Sequence, residues 1–160
     1  MNDLLAIAEQ IAAILVARKQ TVAVAESSTG GLISAGLLAV PGASRYFLGG
    51  AVVYTRDARR LLADIPDEAM KGIRSASQPY AQLLAVRIRE RFASDWGLSE
   101  TGATGPSGNR YGDAPGHSCM AVAGPTSSVI TLETGSADRL ANMHAFAAKA
   151  LKLLLENLSE

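Results

Sequence analysis

The sequence predicts an α/β domain in which helices at both ends enclose a mixed β-sheet. Three observations carry this: apolar residues recur at helical spacing near both termini, short β-branched runs lie between them, and glycine-rich corners separate strand from helix. At 160 residues, with 48% hydrophobic and 19% charged residues, the chain has the size and composition of one domain with a sizeable core.

Between Asp3 and Arg18, Leu4, Ile7, Ala8, Ile11, Ile14 and Leu15 fall at steps of three and four along one helix face, with Asp3 placed to cap it. Thr21-Val22-Ala23-Val24 then reads as a buried strand leading into a polar corner. Gly31 to Val40 reads as a second helix, stopped by Pro41-Gly42. After Gly49-Gly50, Ala51-Val52-Val53-Tyr54 reads as a second buried strand. Asp57 is placed to cap a short helix through Leu62, and Ser77, with Pro79 two residues on, opens a longer one with Leu83, Leu84, Val86, Ile88 and Phe92 as its core face. A strand near Trp96 to Ser99 feeds Thr101 to Gly108, which is too polar and broken for regular structure and is predicted to be a loop. Cys119 to Ala123 and Val129 to Leu132 form a hairpin around Gly124-Pro125-Thr126-Ser127. Asp138 caps a last helix carrying Leu140, Met143, Phe146, Ala147, Ala150, Leu151 and Leu154.

Lys plus Arg and Asp plus Glu both total 15, so the formal charge is zero and the basic footprint of a nucleic-acid binder is missing. Cys119 is the only cysteine, which excludes an internal disulfide and fits a reducing compartment; no Cys/His spacing suggests a zinc site. Met1-Asn2-Asp3 offers no basic start before an apolar core, and no apolar run approaches a membrane span. A cytoplasmic protein with a small or locally charged ligand, and no membrane partner, is expected.

The corner Ala25-Glu26-Ser27-Ser28-Thr29-Gly30-Gly31 lies where an open α/β sheet usually places a ligand. Gly30 and Gly31 would let backbone approach it closely, the next helix would offer unpaired N–H groups, and Ser27, Ser28 and Thr29 would supply hydroxyls. The same residues would also serve as an ordinary helix cap. Glu26 could orient a hydroxyl or bind a ribose, or bond to the loop backbone. Thr101, Gly102, Thr104 and Gly105 would present N–H groups to an oxyanion or a phosphate, although a tightly packed loop needs the same glycines. His117 could reach the site or be structural, and Cys119 reads as a small core residue.

Ala25 to Gly31, Pro41-Gly42-Ala43-Ser44, Val53-Tyr54 and Thr101-Gly102-Ala103-Thr104-Gly105-Pro106 together resemble the motifs of the C-terminal domain family of the competence/damage-inducible protein CinA. The resemblance covers nearly the whole chain. It implies one three-layer α/β/α domain over residues 1–160 with a mixed sheet. It also implies hydrolysis of the nicotinamide mononucleotide carboxamide to nicotinic acid mononucleotide and ammonia, without metal or cofactor, by a homo-oligomer. Carried over by position, Ser44 is the implied nucleophile, and a lysine just beyond the Tyr54 strand is the implied base.

The chain reads Tyr54-Thr55-Arg56-Asp57-Ala58-Arg59, which puts Arg59 at the lysine position. A guanidinium stays protonated in proteins and is no routine base. Three readings stay open: Tyr54 or a water relays the proton while Arg59 stabilises charge, Arg59 binds an anion on a changed ligand, or the site binds a nucleotide-like ligand without turnover. The family's late Gly-Asp-Arg element is also altered, because Ser136 and Ala137 separate Gly135 from Asp138-Arg139. Asn109-Arg110-Tyr111-Gly112-Asp113 departs from the family's continuation of the second glycine-rich segment and is placed to change specificity.

Overall fold

The apolar face read between Asp3 and Arg18 forms helix α1 (Asn2–Arg18), with Leu4, Ile7, Ala8, Ile11 and Leu15 buried. The computed structural model describes all 160 residues. Next come β1 (Val22–Glu26), α2 (Leu32–Leu38), β2 (Phe47–Val52), α3 (Arg56–Ala63), α4 (Gln78–Phe92), β3 (Trp96–Ala103), β4 (His117–Ala123), β5 (Ser128–Glu133) and α5 (Arg139–Leu158). Short helical turns at Ala43–Arg45 and Asp67–Met70 complete the chain.

One sheet runs in the order β2-β1-β3-β4-β5. β1 pairs parallel with β2 and β3, whereas β4 and β5 are antiparallel additions. Alternation along β1 divides the core: Val22 and Val24 join Trp96, Leu98, Met120 and Val122 under α1, α2 and α5. Ala23 and Ala25 face the opposite way, towards Tyr80, Leu84 and Ile88 of α4 and Ala63 of α3. Helices thus cover both faces, which is the three-layer α/β/α arrangement. Full burial of a Leu or Ile contributes about 1.5–3 kcal/mol, so the cluster beneath α1 and α5 dominates stability.

The helix starts follow from local capping. The Ser77 hydroxyl accepts from the Tyr80 amide at 3.3 Å, and Asp138 Oδ1 accepts from the Ala141 amide at 3.1 Å. Thr55, not Asp57, caps α3, its hydroxyl accepting from the Ala58 amide at 3.1 Å. Asp3 lies inside the first turn of α1 and caps nothing.

Two strands differ from the sequence reading. β2 begins at Phe47 and includes Gly49 and Gly50, because a Cβ at Gly50 would stand 2.1 Å from Ser34 Oγ and one at Gly49 would stand 2.8 Å from the Phe92 ring. These glycines mark close approach within a strand, not a break before one. β3 continues to Ala103, so Thr101 and Gly102 are strand residues: its parallel pairing with β1 ends at Ser99, but β4 carries the ladder on through Thr101↔Cys119 and Ala103↔His117.

Candidate functional site

The chain leaves β1 through α2 to reach β2 on one side, then returns by α3 and α4 across β1 to β3 on the other. Such a switch opens a crevice outside the carboxyl ends of the parallel strands, where no helix crosses. A cavity of about 600 Å³ lies there, lined by Ser27 just beyond β1, by Val53, Tyr54 and Thr55 just beyond β2, and by Thr101 and Gly102 of β3. Arg56 and Arg59 of α3, Asp67, the Ile73–Ala76 stretch, Tyr80 and the Asn109–Tyr111 loop close it. Its size suits a nucleotide-sized ligand.

The corner after β1 is held from behind by two buried carboxylates. Glu26 accepts from the amides of Gly31, Ile33 and Ser34 at 2.8, 3.1 and 2.9 Å, and from the Thr29 and Ser34 hydroxyls. The Gly31, Ile33 and Ser34 N–H groups at the start of α2 are therefore taken by Glu26, which is itself fully buried and does not line this cavity. Glu100, also fully buried, accepts from the amides of Ser27 and Thr29 at 3.1 and 3.0 Å and from the hydroxyls of Ser28, Thr29 and Ser118. Burial pushes the Glu100 carboxyl above its usual pKa, partly offset by the bonds from Ser28, Thr29 and Ser27. Ser28 and Thr29 are consequently packed inside, and half-buried Ser27 is the corner hydroxyl on the cavity.

Arg56 and Arg59 share Asp67, with Nε of Arg56 at 3.1 Å and a terminal nitrogen of Arg59 at 2.9 Å from Oδ1. Hydrogen bonds from Arg56 and then Arg59 hold the Asp67 carboxyl down at about 2. The Arg59 side chain is only 11% exposed, and its Nε is buried without a hydrogen-bond partner. Desolvation pushes Tyr80 up to about 12, against the opposing charge of Arg59. Arg110 donates to the Tyr111 hydroxyl at 3.1 Å and lies over its ring. With three arginines and one carboxylate on its lining, the cavity favours an anionic ligand even though the whole chain is neutral.

The fold thus brings Ser27, Tyr54, Arg59, Thr101 and Gly102 together. It does not bring Ser44 to them. Ser44 is exposed in the turn before β2, at the amino end of a strand whose carboxyl end carries Tyr54, and six strand residues at about 3.3 Å each separate the two. Thr104 and Gly105 also stand apart from the cavity, bound through their carbonyls to Asn142 and Arg139. Gly30 and Gly31 adopt positive φ at the turn into α2 and do not line it either. The sequence reading missed Glu100, Asp67 and Tyr80; the one signal was a lone carboxylate, Glu100, amid a buried strand. No three His, Cys, Asp or Glu side chains converge as metal ligands would, and no helix is long and apolar enough to cross a membrane.

Fold and crevice together define a three-layer α/β/α domain with an open cavity at the carboxyl edge of the parallel part of its sheet. The family model described as the CinA C-terminal domain matches residues 4–158, and the chain belongs to that family. A CinA-like protein from Gloeobacter violaceus is 42% identical over 119 residues, covering 74% of this chain and 28% of the relative. Another, from Acidobacterium capsulatum, is 38% identical over 141 residues, covering 88% of this chain and 34% of the relative. The chain therefore spans about a third of the length of these relatives. Among solved structures, a CinA superfamily protein from Escherichia coli superposes with a TM-score of 0.90 at 22% identity, covering 98% of this chain and 91% of that one. A competence/damage-inducible protein from Agrobacterium tumefaciens gives 0.90 at 26% identity, covering 99% and 96%.

Proposed function

We propose that the cavity binds a pyridine mononucleotide or a similar nucleotide amide and hydrolyses its carboxamide. The observation that carries this reading is the meeting of Ser27, Tyr54, Arg59, Thr101 and Gly102 in one nucleotide-sized, basic cavity. Ser27 Oγ attacks the carboxamide carbon, its proton passes through Tyr54 to the departing ammonia, and water then cleaves the acyl ester. Arg59 stabilises negative charge and takes no proton. Asp67, held by two arginines at about 2, is equally unsuited to accept one.

That shortage of an ordinary base favours a second reading, a nucleotide-binding homologue without turnover. In both readings the protein is cytoplasmic and self-associates. Exposed Leu48, Val52, Tyr54, Leu61 and Leu62 around the β2 edge supply an apolar surface for a second copy.

Ammonia release from nicotinamide mononucleotide, compared among wild type, Ser27→Ala and Ser44→Ala, decides between them. Loss of at least about a thousandfold in Ser27→Ala, with Ser44→Ala close to wild type, is expected. The reverse result would assign the nucleophile to Ser44 of another copy in an oligomer. Absence of release from folded wild type that still binds the nucleotide would leave the binding reading.

A further inference from the structure

His117 is buried at the start of β4 with an acceptor against each ring nitrogen. Nε2 lies 2.7 Å from the Ala76 carbonyl oxygen, and Nδ1 is bonded to Glu133 Oε1. Neither a carbonyl nor a carboxylate has a proton to donate, so both nitrogens carry hydrogen and the side chain is an imidazolium. Burial works against that charge, but the bonds to Glu133 and Ala76 and the charges of Asp113 and Glu133 outweigh it and raise the His117 pKa. The remaining ionisable neighbours are Asp113, 3.7 Å from Nε2 and itself paired with Arg74, and Cys119, whose Sγ is 3.9 Å away.

The backbone that His117 grips is an unfavourable one. Ala76 is left-handed, with φ 54°, a conformation costing a residue with a side chain about 1–2 kcal/mol. Its amide donates to Thr101 Oγ1 at 3.1 Å, and its carbonyl has His117 as its shortest partner, with Arg74 Nη1 and Cys119 Sγ at the longer distances of 3.5 and 3.7 Å. Thus β3 holds one side of this peptide segment and β4, chiefly through His117, holds the other. Ile73, Ser75 and Ala76 are cavity wall, and Thr101 lines the same cavity.

We propose that His117 is a positioning residue whose imidazolium clamps the Ile73–Ala76 wall in the shape that accepts ligand, and that loss of its proton releases the wall. A neutral ring keeps one N–H. The charged Glu133 retains it, which leaves the Nε2 lone pair facing the lone pairs of the Ala76 carbonyl. The clamp is fully present below the unfolded-state pKa of histidine and is lost as pH rises through the raised folded value. The link to ligand rests on the cavity being the nucleotide site, whereas the clamp itself can be tested without ligand.

Wild type and His117→Gln are compared from about pH 6 to about pH 9 by imidazole titration, hydrogen exchange at the Ala76 amide, and KM for nicotinamide mononucleotide. Glutamine offers a donor to the Ala76 carbonyl that does not titrate. In wild type, exchange is expected to accelerate at least about tenfold beyond its intrinsic pH trend as His117 loses its proton. KM should rise by a similar factor while kcat stays within about twofold, and the variant should be flat in both respects. Identical pH profiles for the two proteins overturn the proposal. So does an imidazole that titrates at or below the ordinary histidine value in wild type, a result that needs no folded variant. Expected titration and exchange, without binding or hydrolysis of the nucleotide, would uphold the clamp and remove the reading of the cavity as the nucleotide's site.

Discussion

Arg59 is nearly enclosed, with one guanidinium nitrogen on Asp67 and Nε buried without a partner. A lysine ammonium in that place would be desolvated and near Arg56, which lower its pKa, against the Asp67 carboxylate, which raises it and is already shared with Arg56; a group able to give up its proton would replace one that cannot. Arg59→Lys is therefore expected to raise ammonia release from nicotinamide mononucleotide by about a hundredfold. An unchanged kcat with weakened binding would instead assign Arg59 to an anionic group of the ligand. Arg59 was legible as a site position only through the family resemblance, which places a lysine at that point after Tyr54. Asp67 was not, since its importance arises only when two arginines eight and eleven residues away converge on it. The same holds for Glu100, whose partners on the β1 corner lie more than seventy residues earlier in the chain.

Among the elements, the backbone of α4 packs directly against the sheet at Gly97 of β3. A Cβ there would lie 2.1 Å from the Ala85 carbonyl oxygen and 2.9 Å from Arg89 Cβ, both on the helix. Gly97→Ala is expected to push α4 outward and destabilise the protein by about 2 kcal/mol, read as a lower urea midpoint with an unchanged slope. Helix starts at Ser77 and Asp138 were legible because the capped amide is three residues from the cap. Strand limits were not. Gly49-Gly50 resembles a break until Ser34 and Phe92, distant in sequence, fill the space that missing side chains leave. Thr101-Gly102-Ala103 resembles a loop until β4 supplies the ladder that β1 no longer provides.

For the whole molecule, the decisive property is that a neutral chain concentrates Arg56, Arg59 and Arg110 on one crevice. Nicotinamide mononucleotide at a hundredfold excess over its Kd is expected to add about 2.7 kcal/mol and raise Tm by roughly 5–10 °C in a thermal-shift measurement. The riboside, which lacks the phosphate, should give a clearly smaller shift, and added salt should narrow the difference between them. Equal shifts for the two compounds would remove the arginines from ligand recognition. The topological switch was legible as a glycine-rich corner after a buried strand, but its walls at Asp67 and Tyr80 come from tertiary packing that no local pattern announces.

The buried Glu100 carboxylate also orders events in time. The corner that presents Ser27 is synthesised before β3, so the acceptor for the Ser27 and Thr29 amides is made some seventy residues after the amides themselves. Until β3 has been synthesised and has slotted in beside β1, those amides can bond only to water and the corner has no fixed shape. A nascent or interrupted chain carries the Ser27 hydroxyl without its setting, so the corner takes its shape only once the sheet has closed.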